Sequence, residues 1–149
     1  MVALDPANAG AYRANFLSFS QELAALSTDL EDRLHALKDI PFLVLHDAFQ
    51  YFEARYHVSA SGAVFLGDGA QPGPARLAKL RDQLAANPVK CAFAEPAHNA
   101  ALIEALMAGE GVEVVTLNPM GDPDLPMTAP YPALVQGMAD AIVGCLAKP

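Results

Sequence analysis

The stretch Pro41-Phe-Leu-Val-Leu-His-Asp-Ala-Phe-Gln-Tyr-Phe52 (PFLVLHDAFQYF) decides how the rest of the chain is read. Phe42 to Leu45 is an apolar run of strand length with no polar alternation. A run of that kind belongs to a strand covered on both faces, the signature of a parallel sheet. It stops on His46-Asp47, after which Phe49, Phe52 and Tyr56 recur on one side of an expected helix over 47–57. Asp47 is read as the N-cap of that helix, because a short carboxylate there accepts from the exposed backbone N–H groups of the first turn. His46 is harder to place. An imidazole ending a buried strand needs partners for its ring nitrogens, so it is either a satisfied strand-end histidine or a metal ligand.

Outward from this unit the βα alternation continues. Residues 58–66 are small and β-prone, and the loop 67–74 (GDGAQPGP) is punctuated by glycine and proline. The spacing predicts a helix over 75–86, with Leu77, Leu80 and Leu84 inward and Arg76, Lys79 and Arg81 in water. Strands follow at 89–94 and 112–117, with a helix over 97–108 between them, a loop over 118–130 and a closing helix over 131–147. Strands alternating with helices imply right-handed crossovers. The expected fold class is therefore α/β: a Rossmann-like, four-stranded parallel sheet with helices on both faces.

Upstream, Asp5-Pro6 reads as an N-cap followed by proline in the first helical position. From there Tyr12, Phe16, Phe19, Leu23, Leu26, Leu30, Leu34 and Leu37 step by three or four residues, which predicts one long helix from about Pro6 to Lys38. Its length would be on the order of 50 Å at ~1.5 Å per residue. A domain of this size is only roughly 35 Å across, so the first half of the apolar stripe overhangs the domain. It needs a second copy or a further domain to cover it. The expected division is a long backbone helix over 5–39 and a Rossmann-like lobe over 40–149.

Composition narrows the classes of function. The 149 residues suit one domain, and no apolar run approaches the ~20 residues of a membrane span, so the chain should be soluble. A formal net charge of −8 disfavours a nucleic-acid backbone and favours cations or basic surfaces. The two cysteines, Cys91 and Cys145, are too far apart for a CxxC motif. Composition leaves open whether they are buried thiols of an intracellular protein or a disulfide of an exported one. No leader precedes the first helix signal, so the chain is cytosolic or its export signal lies upstream.

Ligands of open α/β sheets bind outside the carboxyl ends of the strands. That rim is expected to carry His46-Asp47, Asp68 in the loop after the second strand, Glu95-Pro96 after the third and Asn118-Pro119 after the fourth. Glu95 has an ion pair with a loop arginine as its bland alternative, and Asn118 before proline is ordinary turn chemistry. His98, two residues beyond Glu95-Pro96, is a secondary candidate; His35 is expected in water and His57 in a connector. A dinucleotide site is excluded on steric grounds, because the turn after the first strand is His-Asp-Ala-Phe rather than glycine-rich. No G-x-S-x-G elbow supports a serine hydrolase.

Four motifs in order then resemble those of the bacterial zinc-binding solute-binding proteins of ABC transporters, the ZnuA-like members of the metal-binding cluster. PFLVLHDAFQYFEARYHV resembles their V-x-F-H-D-A-Y-x-Y-F-x-x-x-Y-G-L element, and QPGPARLAKLRDQL their PG-x-x-RL-x-x-L helix start. CAFAEP resembles their C-x-F-A-E-P strand, and TLNPMG their L-D-P-L-G strand end. The resemblance covers 5–149 but only the second half of such a protein. It implies two Rossmann-like lobes joined by a rigid helix, with Zn2+ held between them, captured in the periplasm and passed to the membrane permease of an ABC importer. The implied partners are the N-terminal lobe of the same protein and that permease, and no catalysis is implied.

By the same resemblance His46 is a zinc ligand whose companion ligands come from the other lobe, and Cys91 and Cys145 pair as a disulfide. Asn118 stands where relatives have aspartate, which leaves it, with Glu95, a position behind the ligands. His57 stands where relatives have glycine. One histidine leaves the chain a weak zinc binder by itself. Three rival readings accompany this one: a manganese- or iron-binding lobe of the same family, a small α/β enzyme using His46 and Glu95 as acid and base, or a structural dimer through the long helix.

Overall fold

The computed structural model describes residues 1–67, 71–121 and 130–148. Asp68 and residues 122–129 of the loop expected over 118–130 lie outside the described residues. A 3₁₀ turn (Pro6–Asn8) leads into α1 (Ala9–His35), followed by β1 (Phe42–His46), α2 (Gln50–Tyr56), β2 (Gly62–Phe65), α3 (Pro74–Ala86), β3 (Cys91–Ala94), α4 (Ala101–Met107), β4 (Glu113–Thr116) and α5 (Pro130–Leu146). All four strands are parallel, in the order β2-β1-β3-β4. The chain crosses β1 between β2 and β3, so the direction of winding reverses at the β1/β3 pair.

Alternation along the strands builds two cores. Phe42 and Val44 of β1, with Cys91 and Phe93 of β3, face a layer made by α1, α2 and α5, whose buried contributors include Leu30, Leu34, Tyr56, Met138 and Ile142. Leu43, Leu45, Ala92 and Ala94 face the opposite layer, against Leu80 of α3 and Ile103, Leu106 and Met107 of α4. This double coverage is why Phe42 to Leu45 carries no polar alternation. The ring edges of Phe42 and Phe93 meet at a centroid separation of 5.6 Å, a favourable aromatic geometry. Cys91 and Cys145 are joined by a disulfide that ties α5 to β3.

The long helix is shorter than the stripe implies. Asp5 caps only the 3₁₀ turn, and its carboxylate accepts from the Asn8 amide and the Tyr12 hydroxyl instead of a helical N–H. These two donors hold the Asp5 carboxyl below its ordinary pKa. The helix proper spans about 40 Å at ~1.5 Å per residue, and its apolar stripe divides. Phe16 is 69 % and Phe19 45 % exposed, whereas Leu30 and Leu34 are fully buried. The lower half is further held by Arg33 with Asp140 of α5 and by Arg55 of α2 with Glu31 and Ser27. Among the described residues no helix is long and apolar enough to cross a membrane.

Candidate metal centre

Strand β1 delivers His46 to the carboxyl rim because its register is fixed on both sides. Phe42 pairs with Cys91 of β3, and His46 pairs with Phe65 of β2. The chain then turns tightly: the N–H of Ala48 donates to the His46 carbonyl, and the N–H of Asp47 donates to the Phe65 carbonyl. This turn delays α2. Phe49, not Asp47, occupies the N-cap position, and the Asp47 carboxylate instead accepts from the Gln50 side chain at 2.9 Å. The capping role expected of Asp47 is thus replaced by local turn chemistry, in which an aspartate bonds a group a few residues on.

Glu95 follows β3 directly and is the one buried charged residue among those described, at 5 % exposure. Its Oε1 lies 3.7 Å from Nδ1 of His46, and the two side chains are 4 % and 14 % exposed. Among the described residues, the group found beside Glu95 is the His46 imidazole rather than a loop arginine. Since β1 and β3 are adjacent and their crossovers leave in opposite directions, His46 and Glu95 stand at the topological switch point, where open α/β sheets hold ligands.

Helix α4 begins later than periodicity suggests, at Ala101, because Pro96 opens a turn and the Asn99 side chain accepts from the Ala101 N–H. That turn, closed by the His98 N–H on the Glu95 carbonyl at 3.1 Å, carries His98 back over the rim. The His98 and His46 rings approach edge to face at 5.2 Å between centroids, and His98 also stacks on Phe65 at 6.5 Å. One donor atom each from His46, Glu95 and His98 lie within 4.8 Å of one another, with His98 exposed to solvent. The signal for His98 was its position just past a strand end; what periodicity could not supply was the turn that folds it back.

Asn118 is committed elsewhere. Its amide nitrogen donates to the Gly121 carbonyl at 2.7 Å, and its oxygen accepts from the Met120 N–H at 3.0 Å, so both ends close the turn after β4. His35 is exposed at the end of α1, as expected. His57 ends α2 in the left-handed conformation, with φ of 56°. Glycine is the common residue there, and histidine is one of the few that tolerate it. Arg76 departs from the solvent role expected of it: it reaches back from the first turn of α3 to donate to the Ala63 carbonyl of β2 at 2.7 Å.

Comparison with known proteins places these features. The model of the family described as "Zinc-uptake complex component A periplasmic" matches residues 1–145. The high-affinity zinc uptake system protein ZnuA of Paracoccus denitrificans is 38 % identical over 95 % of this chain and 44 % of its own length. That of Brucella suis is 32 % identical over 97 % of this chain and 43 % of its own length. A crystal structure of ZnuA superposes with a TM-score of 0.80 at 26 % identity, over 97 % of this chain and 52 % of that one. The chain therefore spans less than half the length of these curated relatives and about half of the solved structure. It belongs to the family of periplasmic zinc-uptake components, the solute-binding proteins of ABC transporters.

Proposed function

We propose that the chain is the C-terminal lobe of a periplasmic zinc-binding protein, in which His46 is a zinc ligand. The observation that carries this reading is the placement of an imidazole at the β1/β3 switch point with a buried carboxylate at its Nδ1. A carboxylate behind a ligating histidine fixes the ring and raises its basicity. In this reading the Glu95 carboxylate, 3.7 Å from Nδ1, places negative charge beside the His46 ring, and neutral imidazole suits the borderline-soft Zn2+. A closed zinc site takes four donors, so an N-terminal lobe supplies the remainder. The exposed upper half of α1 supports a covering body at that end.

Zinc is favoured over manganese because the rim offers nitrogen donors, and the amide of Asn118 stands where a harder carboxylate would suit Mn2+. As a carrier lobe, the chain would retain zinc without turning over a substrate and would pass it to the permease of an ABC importer. Calorimetric titration with Zn2+ tests the assignment. We expect His46→Ala to weaken binding by more than the roughly 10–100-fold that follows loss of an outer partner of a metal ligand. Unchanged affinity in that variant would remove His46 from the site.

A further inference from the structure

We propose that His98 is a second zinc ligand, so that this lobe offers the metal two imidazoles of its own. The inference rests on the assignment of His46 and extends it. Three independent features of the rim support it. The donor atoms of His46, Glu95 and His98 converge within 4.8 Å. A tetrahedral zinc with bonds of about 2.0–2.1 Å separates its donors by roughly 3.3 Å. The gap to be closed is thus on the order of 1.5 Å, within reach of a change of rotamer at an exposed side chain.

The backbone is also arranged for it. The turn closed by the His98 N–H on the Glu95 carbonyl fixes the spacing between the two residues. Phe65, in register with His46 on β2, stacks against the His98 ring at 6.5 Å between centroids. Finally, the two imidazoles differ in access: His46 is nearly buried and His98 open to solvent. An incoming cation therefore meets His98 first and is drawn towards the buried Glu95 carboxylate, which adds charge without adding a third imidazole. The ligand class this fits is a single borderline-soft divalent cation, with water or donors from outside this lobe completing its coordination.

Long-range proton–nitrogen NMR of the four histidine rings of the 149-residue chain, titrated with Zn2+, tests the proposal, with His35 and His57 as internal controls. Ring nitrogens of both His46 and His98 should shift together and saturate at one equivalent. In parallel, His98→Ala should raise the apparent dissociation constant roughly tenfold or more while leaving the melting temperature of the metal-free chain unchanged. His46→Ala should abolish the response at His98. A response confined to His46, with His98→Ala titrating like wild type, would overturn the role of His98 and leave the assignment of His46 standing. A His98 response that survives in His46→Ala, or that needs a second equivalent, would mark it as a separate surface histidine and also overturn the proposal. Silence at both rings would remove both assignments.

Discussion

The two halves of α1 carry the same apolar spacing and meet opposite fates. Leu30 and Leu34 are fully buried against α5 and the sheet, whereas Phe16, Leu17 and Phe19 are 69 %, 58 % and 45 % exposed. Propensity and periodicity do not distinguish these turns; only tertiary partners do. Most helical stability in proteins comes from packing an amphipathic face, and the upper half is an apolar stripe that the described residues leave uncovered. The lower half shows what a covering surface looks like when present: apolar contacts flanked by the Arg33–Asp140 and Arg55–Glu31 pairs.

The packed half depends on α5 staying in place, and the largest expected effect comes from releasing it. The Cys91–Cys145 disulfide closes a separation of 54 residues, for which the chain-entropy model gives about 4 kcal/mol. Denaturant unfolding of Cys91→Ala/Cys145→Ala should show a loss of at least that order, because each alanine also leaves empty the space of a buried sulfur. A loss below about 1 kcal/mol would mean that α5 is held by its apolar face alone, far under the chain-entropy value.

Next in size is Leu34→Ala. Leu34 is fully buried in the layer shared by α1 and α5, and truncating a leucine at such a position costs about 3 kcal/mol through lost burial and the cavity left behind. The same unfolding measurement would read it. A near-neutral result would erase the contrast between the halves of the helix, because Leu34 would then behave like an exposed position.

How much of this was legible follows from the range of the interactions involved. The strand Phe42 to Leu45, its double coverage and the placement of His46 at the carboxyl edge of the sheet were readable, because two-sided burial writes itself into a local run of residues. The overhang of α1 was readable as well, since the length of an apolar stripe can be set against the size of a domain. Helix starts were not. Ala101 begins α4 late because of a local turn after Pro96 that helical periodicity does not register, and Gln50 begins α2 late because of a turn in which the Asp47 N–H reaches the Phe65 carbonyl, a segment distant in sequence. The return of Arg76 to the Ala63 carbonyl and of His98 over His46 are of the same kind. At the rim the residue types were legible and their meeting was not.

The smallest expected effect bears on the other half of the helix. Phe16→Ser/Phe19→Ser should change the unfolding free energy of this chain by no more than about 0.5 kcal/mol per site, as for surface positions away from specific interactions. Both rings already lie largely in water, so little burial is lost, and serine lowers helix propensity only slightly relative to phenylalanine. The value of the experiment is that the two candidate occupants of this face predict different behaviour. If a second copy covers it, apolar area is removed from water only in the dimer. The wild type should then unfold at a midpoint that rises with protein concentration, and the double variant should lose that dependence and sediment as a monomer. If an N-terminal lobe covers it, the isolated chain is a monomer with or without the substitutions, and its midpoint is independent of concentration. A monomeric wild type would therefore discard the dimer, and would leave the upper half of α1 as a surface whose partner lies elsewhere in the protein.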